Sequence, residues 1–163
     1  MKKSLCLLAC ALMFTGSAFA NDVVNFHVVN KSSLQGDVGY AVHLTGEIGD
    51  GNKVLYNCPI ESDTCTFSAN PSTTVPDHRE LWGTVGPMIN IASNTGWVSV
   101  CDVDAPVDMN FGPDFHAIGL EIDSLRGSVS VSSRSDKYVC WAQAVDDNNV
   151  NVVIQDRVQH PKN

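Results

Sequence analysis

After residue 20 the chain has no apolar run of membrane-spanning length, no Cys-x-x-Cys pair and almost no stretch of helical periodicity. Basic residues are scarce too, 10 Lys and Arg against 18 Asp and Glu. Each shortage excludes something. Without a run of about 20 apolar residues there is no transmembrane anchor. Without paired cysteine ligands a structural zinc knuckle is disfavoured. Scattered Lys and Arg cannot form the clustered positive surface that nucleic acid or anionic lipid requires. Gly-x-Ser-x-Gly, His-Glu-x-x-His and a glycine-rich phosphate loop are all missing, so no familiar catalytic spacing is present.

The first twenty residues read as a secretory signal: Lys2 and Lys3, an apolar run from Leu5 to Phe14, and Ala18-Phe19-Ala20 as the cleavage site, with cutting expected after Ala20. Leu7-Leu8-Ala9-Cys10 has the look of a lipoprotein motif, but it follows too few apolar residues and a better cleavage site lies beyond it. The short signal resembles a bacterial one, which places the protein in the periplasm or outside the cell. What remains, residues 21–163, fits a single domain with a frayed C-terminal tail from Gln159. Removal of Lys2 and Lys3 leaves 8 basic against 18 acidic residues, a net charge of −10 with histidines neutral.

Four cysteines persist in that domain, Cys58, Cys65, Cys101 and Cys140. An even number in an exported chain implies two disulfides. Of the three possible connectivities we expect Cys58 with Cys65, closing a short loop, and Cys101 with Cys140.

Alternation of period two recurs along the chain. Val24, Phe26 and Val28 alternate with polar residues; Val38 to Leu44, Lys53 to Cys58, Thr64 to Phe67, Met88 to Ala92, Trp97 to Val103, His116 to Ile122, Val129 to Val131, Lys137 to Val145 and Val150 to Ile154 continue the pattern. Turn residues separate them, Asn30 to Ser33 between the first two in particular, which predicts a hairpin or neighbouring pair there. Asp77 and Glu80 have capping-box spacing, so at most one short helix is predicted, near 77–82. Nine or ten short strands without alternating helices predict an all-β antiparallel sandwich, immunoglobulin-like or jelly-roll-like, with a barrel as the alternative.

Lys137 to Val145 carries Cys140 and Trp141, and neither of its alternating faces is polar. It therefore reads as a central strand covered on both sides, with the Trp97–Val103 strand as its partner through the second disulfide. Tyr138-Val139-Cys140 resembles the Tyr-x-Cys of immunoglobulin domains. Cys65 and Trp82 come nearest to that fold's cysteine-to-tryptophan interval, and using them would leave Cys101 and Cys58 to pair elsewhere. The reading is therefore a sandwich without a family.

Candidate sites are few. Asp102, Asp104, Asp108 and Asp114, with Asn110, offer oxygen ligands of the kind calcium takes, against the alternative of a solvated acidic loop. Asp146 to Asn149 is a lesser version of the same. His27 and His43 would lie side by side in a hairpin, an incomplete metal site. Asp77-His78-Arg79-Glu80 is the densest acid-base cluster, although triads converge from separate segments. Trp82 and Trp97 are the residues best suited to hold a ligand.

On these grounds the expected function is non-catalytic recognition of a protein or carbohydrate partner by an exported module. The alternatives are a secreted hydrolase whose paired carboxylates escape spacing rules and a subunit of a surface assembly. No cofactor is expected, calcium aside.

Overall fold

The computed structural model describes residues 22–75 and 80–158. The expected signal segment, the cluster residues Asp77, His78 and Arg79, and the tail from Gln159 lie outside them.

Ten strands form two sheets that pack face to face, a β-sandwich and not a closed barrel. In chain order they are β1 (Val23–Asn30), β2 (Val38–Gly46), β3 (Val54–Asn57), β4 (Thr64–Ala69), β5 (Leu81–Ser93), β6 (Gly96–Phe111), β7 (Ala117–Ile122), β8 (Ser130–Ser133), β9 (Tyr138–Ala144) and β10 (Asn149–Asp156). The first sheet runs β3-β4-β1-β10-β9. The second runs β2-β5-β6, and the far side of β6 is shared: β7 pairs with its C-terminal half and β8 with Cys101 to Asp104. Pairing is antiparallel except between β1 and β10, the first and last strands, which lie parallel at the middle of their sheet.

Alternation explains the core. Val24, Phe26 and Val28 on β1, Cys65 and Phe67 on β4, and Val150, Val152 and Ile154 on β10 point inwards from the first sheet. Val85, Ile89 and Ile91 on β5 and Val103, Ala105 and Val107 on β6 meet them from the second. Phe26 and Phe67 pack edge to face with centroids 5.5 Å apart, a geometry worth about 1 kcal/mol beyond the area it buries. A bulge adjusts the phase of β6. Ile89 pairs with Cys101 but Asn90 with Ser99, so Val100 is the extra residue and both Val100 and Cys101 are buried.

Several expectations change here. Leu81 and Trp82 begin β5 and are not helical; the one helical turn among the described residues is a 3-10 turn at Glu47–Gly49, whose Ile48 plugs the core. The strand holds because Leu81, Gly83 and Val85 alternate inwards, and Gly83 leaves the space that Ile48 fills. β1 and β2 are not a hairpin; they belong to opposite sheets. β9 is an edge strand, not a central one, and pairs with β10, not with β6. Trp141 on its outer face is 45% exposed.

Both disulfides join the expected partners, Cys58 with Cys65 and Cys101 with Cys140. The second has a different task from the one its sequence neighbours implied, since β6 and β9 lie in different sheets. It therefore ties the two layers of the sandwich together across the core.

Candidate functional site

β6 runs on through the acidic segment to Phe111, so Asp102, Asp104 and Asp108 sit on a strand and not in a loop. All three occupy the outer face, because Cys101, Val103, Ala105, Val107 and Met109 take the inner one. Residues two apart on one face are about 7 Å apart, so this row is spread along the strand instead of converging. Each aspartate also has its own cation. Asp102 takes Arg134, with Nε 2.5 Å from Oδ2; Asp104 takes His43; Asp108 takes Arg126, with Nε 2.8 Å from Oδ1. Asp114 stands in the turn beyond β6, where its carboxylate accepts the His116 N–H at 3.4 Å. The structure thus does not bring the four carboxylates together, and among the described residues no group of three or more His, Cys, Asp or Glu side chains is placed to hold a metal.

The two histidines are separated as well. His27 bridges strands within the first sheet, Nδ1 to Thr64 Oγ1 at 3.2 Å and Nε2 to Asn149 Oδ1 at 3.1 Å. His43 lies on the second sheet. Asp146 closes its own turn by accepting from Asn148 N at 2.8 Å and from Asn149 Nδ2. Those donors, the backbone N–H first, hold its carboxyl below the usual range.

Trp82 and Trp97 share the outer face of the second sheet at opposite ends. Trp97 pairs with Ala92, ten positions along β5 from Trp82, which separates them by about 33 Å. They belong to two sites. Trp97 lies over Gly39, where a Cβ would strike its ring, and borders an open groove of about 340 Å³ with Tyr40, Ile60 and Asn90. That groove carries no charge.

The Trp82 end differs. Across the sheet, Trp82 on β5 faces Asp108 on β6, and Asp108 faces Glu121 on β7. The turn after β7 folds back over this row, with Arg126 N donating to Asp123 O at 3.2 Å, and lays the Arg126 guanidinium on the indole, 5.1 Å from the Trp82 ring centre. Arg126 also reaches Asp123 Oδ2 at 3.0 Å and Glu80 Oε2 at 3.1 Å. Around it lies an open groove of about 610 Å³ lined by the carboxylates of Glu80, Asp108, Glu121, Asp123 and Asp147.

Five carboxylates and one guanidinium leave the groove strongly negative. Burial pushes the Asp108 carboxyl above its ordinary value, with Asp123 adding to the rise and Arg126 opposing it. Asp108 in turn holds the Arg126 guanidinium firmly charged. Of this set, the sequence reading singled out Trp82, Asp108 and Glu80. Asp147 enters that reading only within the Asp146–Asn149 turn, as a lesser calcium candidate, and Glu121, Asp123 and Arg126 escape it, because only the strand register and the turn after β7 bring them in.

Compared with known proteins, the chain matches no family model and no curated protein.

Proposed function

We propose that the protein works outside the cytoplasm as a non-catalytic recognition module, and that its contact site is the acidic groove at the Trp82 end of the second sheet. Two disulfides suit an oxidising compartment, and no helix among the described residues is long and apolar enough to cross a membrane.

One observation carries the reading. Arg126 already shows what the groove accepts: a guanidinium stacked on Trp82 and held by Asp108, Asp123 and Glu80. Glu121 and Asp147 add two further carboxylates to the lining. The partner that fits is a protein segment rich in Arg or Lys, drawn in by the surplus negative charge and held by the Glu121 and Asp147 carboxylates beside the Arg126–Trp82 stack. Carbohydrate is the weaker choice, because the Trp82 ring face that a sugar would stack on is occupied by Arg126. Hydrolysis is weaker too: Asp108 and Asp123 both accept from Arg126 Nε, at 2.8 and 3.0 Å, and so neither carboxylate is free to act as acid or nucleophile.

The test is calorimetric titration with a hexa-arginine peptide at low and high salt. Binding that weakens as salt rises, and that Glu121→Gln with Asp147→Asn abolishes, supports the proposal. No binding at low salt, or turnover of glycan, ester or peptide substrates that a single carboxylate substitution abolishes in a folded protein, overturns it.

A further inference from the structure

Arg126 belongs to the chain and yet sits in the groove as a ligand would. Its Nε donates to Asp108 Oδ1 at 2.8 Å and to Asp123 Oδ2 at 3.0 Å. Its Nη2 donates to Glu80 Oε2 at 3.1 Å, and its Cζ stands 5.1 Å from the Trp82 ring centre. Each contact is one that a planar guanidinium makes. A lysine ammonium answers a single carboxylate well, but it has neither a flat face to lay on an indole nor a fork that serves several oxygens from one plane. The space between Trp82, Asp108, Asp123 and Glu80 is therefore shaped for arginine and not for positive charge in general.

Little else fastens Arg126 there. Residues 124–128 are all exposed, Leu125 at 96%, so this part of the turn after β7 buries no apolar side chain against the sheet. The backbone of the turn is tied through Asp123. Asp123 N donates to Pro106 O at 3.0 Å, Leu125 N to Asp123 Oδ1 at 2.8 Å and Arg126 N to Asp123 O at 3.2 Å. None of these bonds uses the Arg126 guanidinium, so the side chain can swing out while the turn stays closed. Beside it, Glu121 and Asp147 line the same groove with no cationic partner among the described residues.

We propose that the Trp82 end of the groove is an arginine subsite, filled by Arg126 in the free protein and taken over by an arginine of the partner on binding. The proposal rests on the groove being the contact site and adds what that site selects. Exchange of one guanidinium for another remakes the same ion pairs and the same stack, so it is close to balanced. Glu121 and Asp147 tip it, because they hold the neighbouring cations of a basic segment, which the lone Arg126 does not have. A segment with lysine alone gains Glu121 and Asp147 but cannot replace Arg126 on the ring.

The test compares hexa-arginine with hexa-lysine, equal in charge, by calorimetric titration of wild-type protein and Arg126→Ala at low salt. Emptying the subsite removes a positive charge and strengthens both peptides, so the ratio between them is the readout. Arg126→Ala should bind hexa-arginine about tenfold more tightly than hexa-lysine, and adding Trp82→Ala should bring the two together. Circular dichroism of both variants should match wild type. In wild-type protein carrying isotopically labelled arginine, the Arg126 Nε–H resonance should move to the position of a solvent-exposed arginine as hexa-arginine saturates. Equal affinities in Arg126→Ala, a preference that outlasts Trp82→Ala, or an Arg126 resonance unmoved at saturation overturns the arginine subsite and leaves the groove as the contact site. Failure of both peptides to bind wild type and Arg126→Ala overturns the groove reading itself, and the subsite with it.

Discussion

His43 and Asp104 are joined across a strand that lies between them. His43 on β2 is opposite Gly86 on β5, and Gly86 lies against the β6 backbone at Val103 and Asp104, so the imidazole reaches the carboxylate over a residue with no side chain. A Cβ at position 86 would land on the Val103 carbonyl oxygen. We predict that Gly86→Ala destabilises the fold by about 3 kcal/mol, because backbone and not a flexible side chain must move. Asp104→Asn, at a pair that is one-third exposed, should cost under about 1 kcal/mol. Urea denaturation of the two variants checks the contrast.

The disulfides should contribute unequally. Cys101 and Cys140 are 39 residues apart and Cys58 and Cys65 only 7, so chain entropy assigns about 4 kcal/mol to the first and about 2.5 to the second. Replacing Cys101 and Cys140 by Ser together should lower the denaturation midpoint more than replacing Cys58 and Cys65. The reverse order would mean that the layers do not need their cross-tie.

Asp102 is buried beneath Arg134, and its second oxygen, Oδ1, has no hydrogen-bond partner among the described residues. Removing Arg134 strands a buried charge, whereas removing the charge leaves a half-exposed cation that water can solvate. Arg134→Ala is expected to cost distinctly more than Asp102→Asn. Equal losses in thermal unfolding would contradict this.

Tyr40 is half-buried and donates its hydroxyl to Ser62 O at 2.7 Å. Burial first, and the negative charge of Asp63 second, push its phenol well above the ordinary value. The neutral ring is thus favoured in the folded state. That preference costs nothing below the unfolded phenol value of about 10 and erodes stability as pH rises from there towards the folded value. Wild-type protein should lose stability above pH 10 more steeply than Tyr40→Phe, which forgoes the hydrogen bond and should be about 1 kcal/mol weaker at neutral pH. Parallel slopes in alkaline denaturation would refute the assignment.

The strands were legible because inward residues alternate with polar ones, as in Val24, Phe26 and Val28. Their neighbours were less so. Period two says which way a side chain points but not what lies on that side, and β9 has apolar residues on both faces although one is half-exposed. The start of β5 was obscured by Gly83, a buried position with no hydrophobic side chain to mark it, next to the capping spacing of Asp77 and Glu80. The acidic groove was the least legible feature. Glu80, Asp108, Glu121, Asp123 and Asp147 come from separate segments and converge only through the β5-β6-β7 register and the turns beside it.

The most direct measurement is nuclear magnetic resonance mapping of the isotopically labelled protein during titration with the hexa-arginine peptide. Recognition at the groove predicts shifts confined to the Trp82 indole N–H, the Arg126 side chain and the amides of Glu121, Asp123 and Asp147, with Trp97 unmoved. Shifts centred on Trp97, or none at low salt, would contradict it.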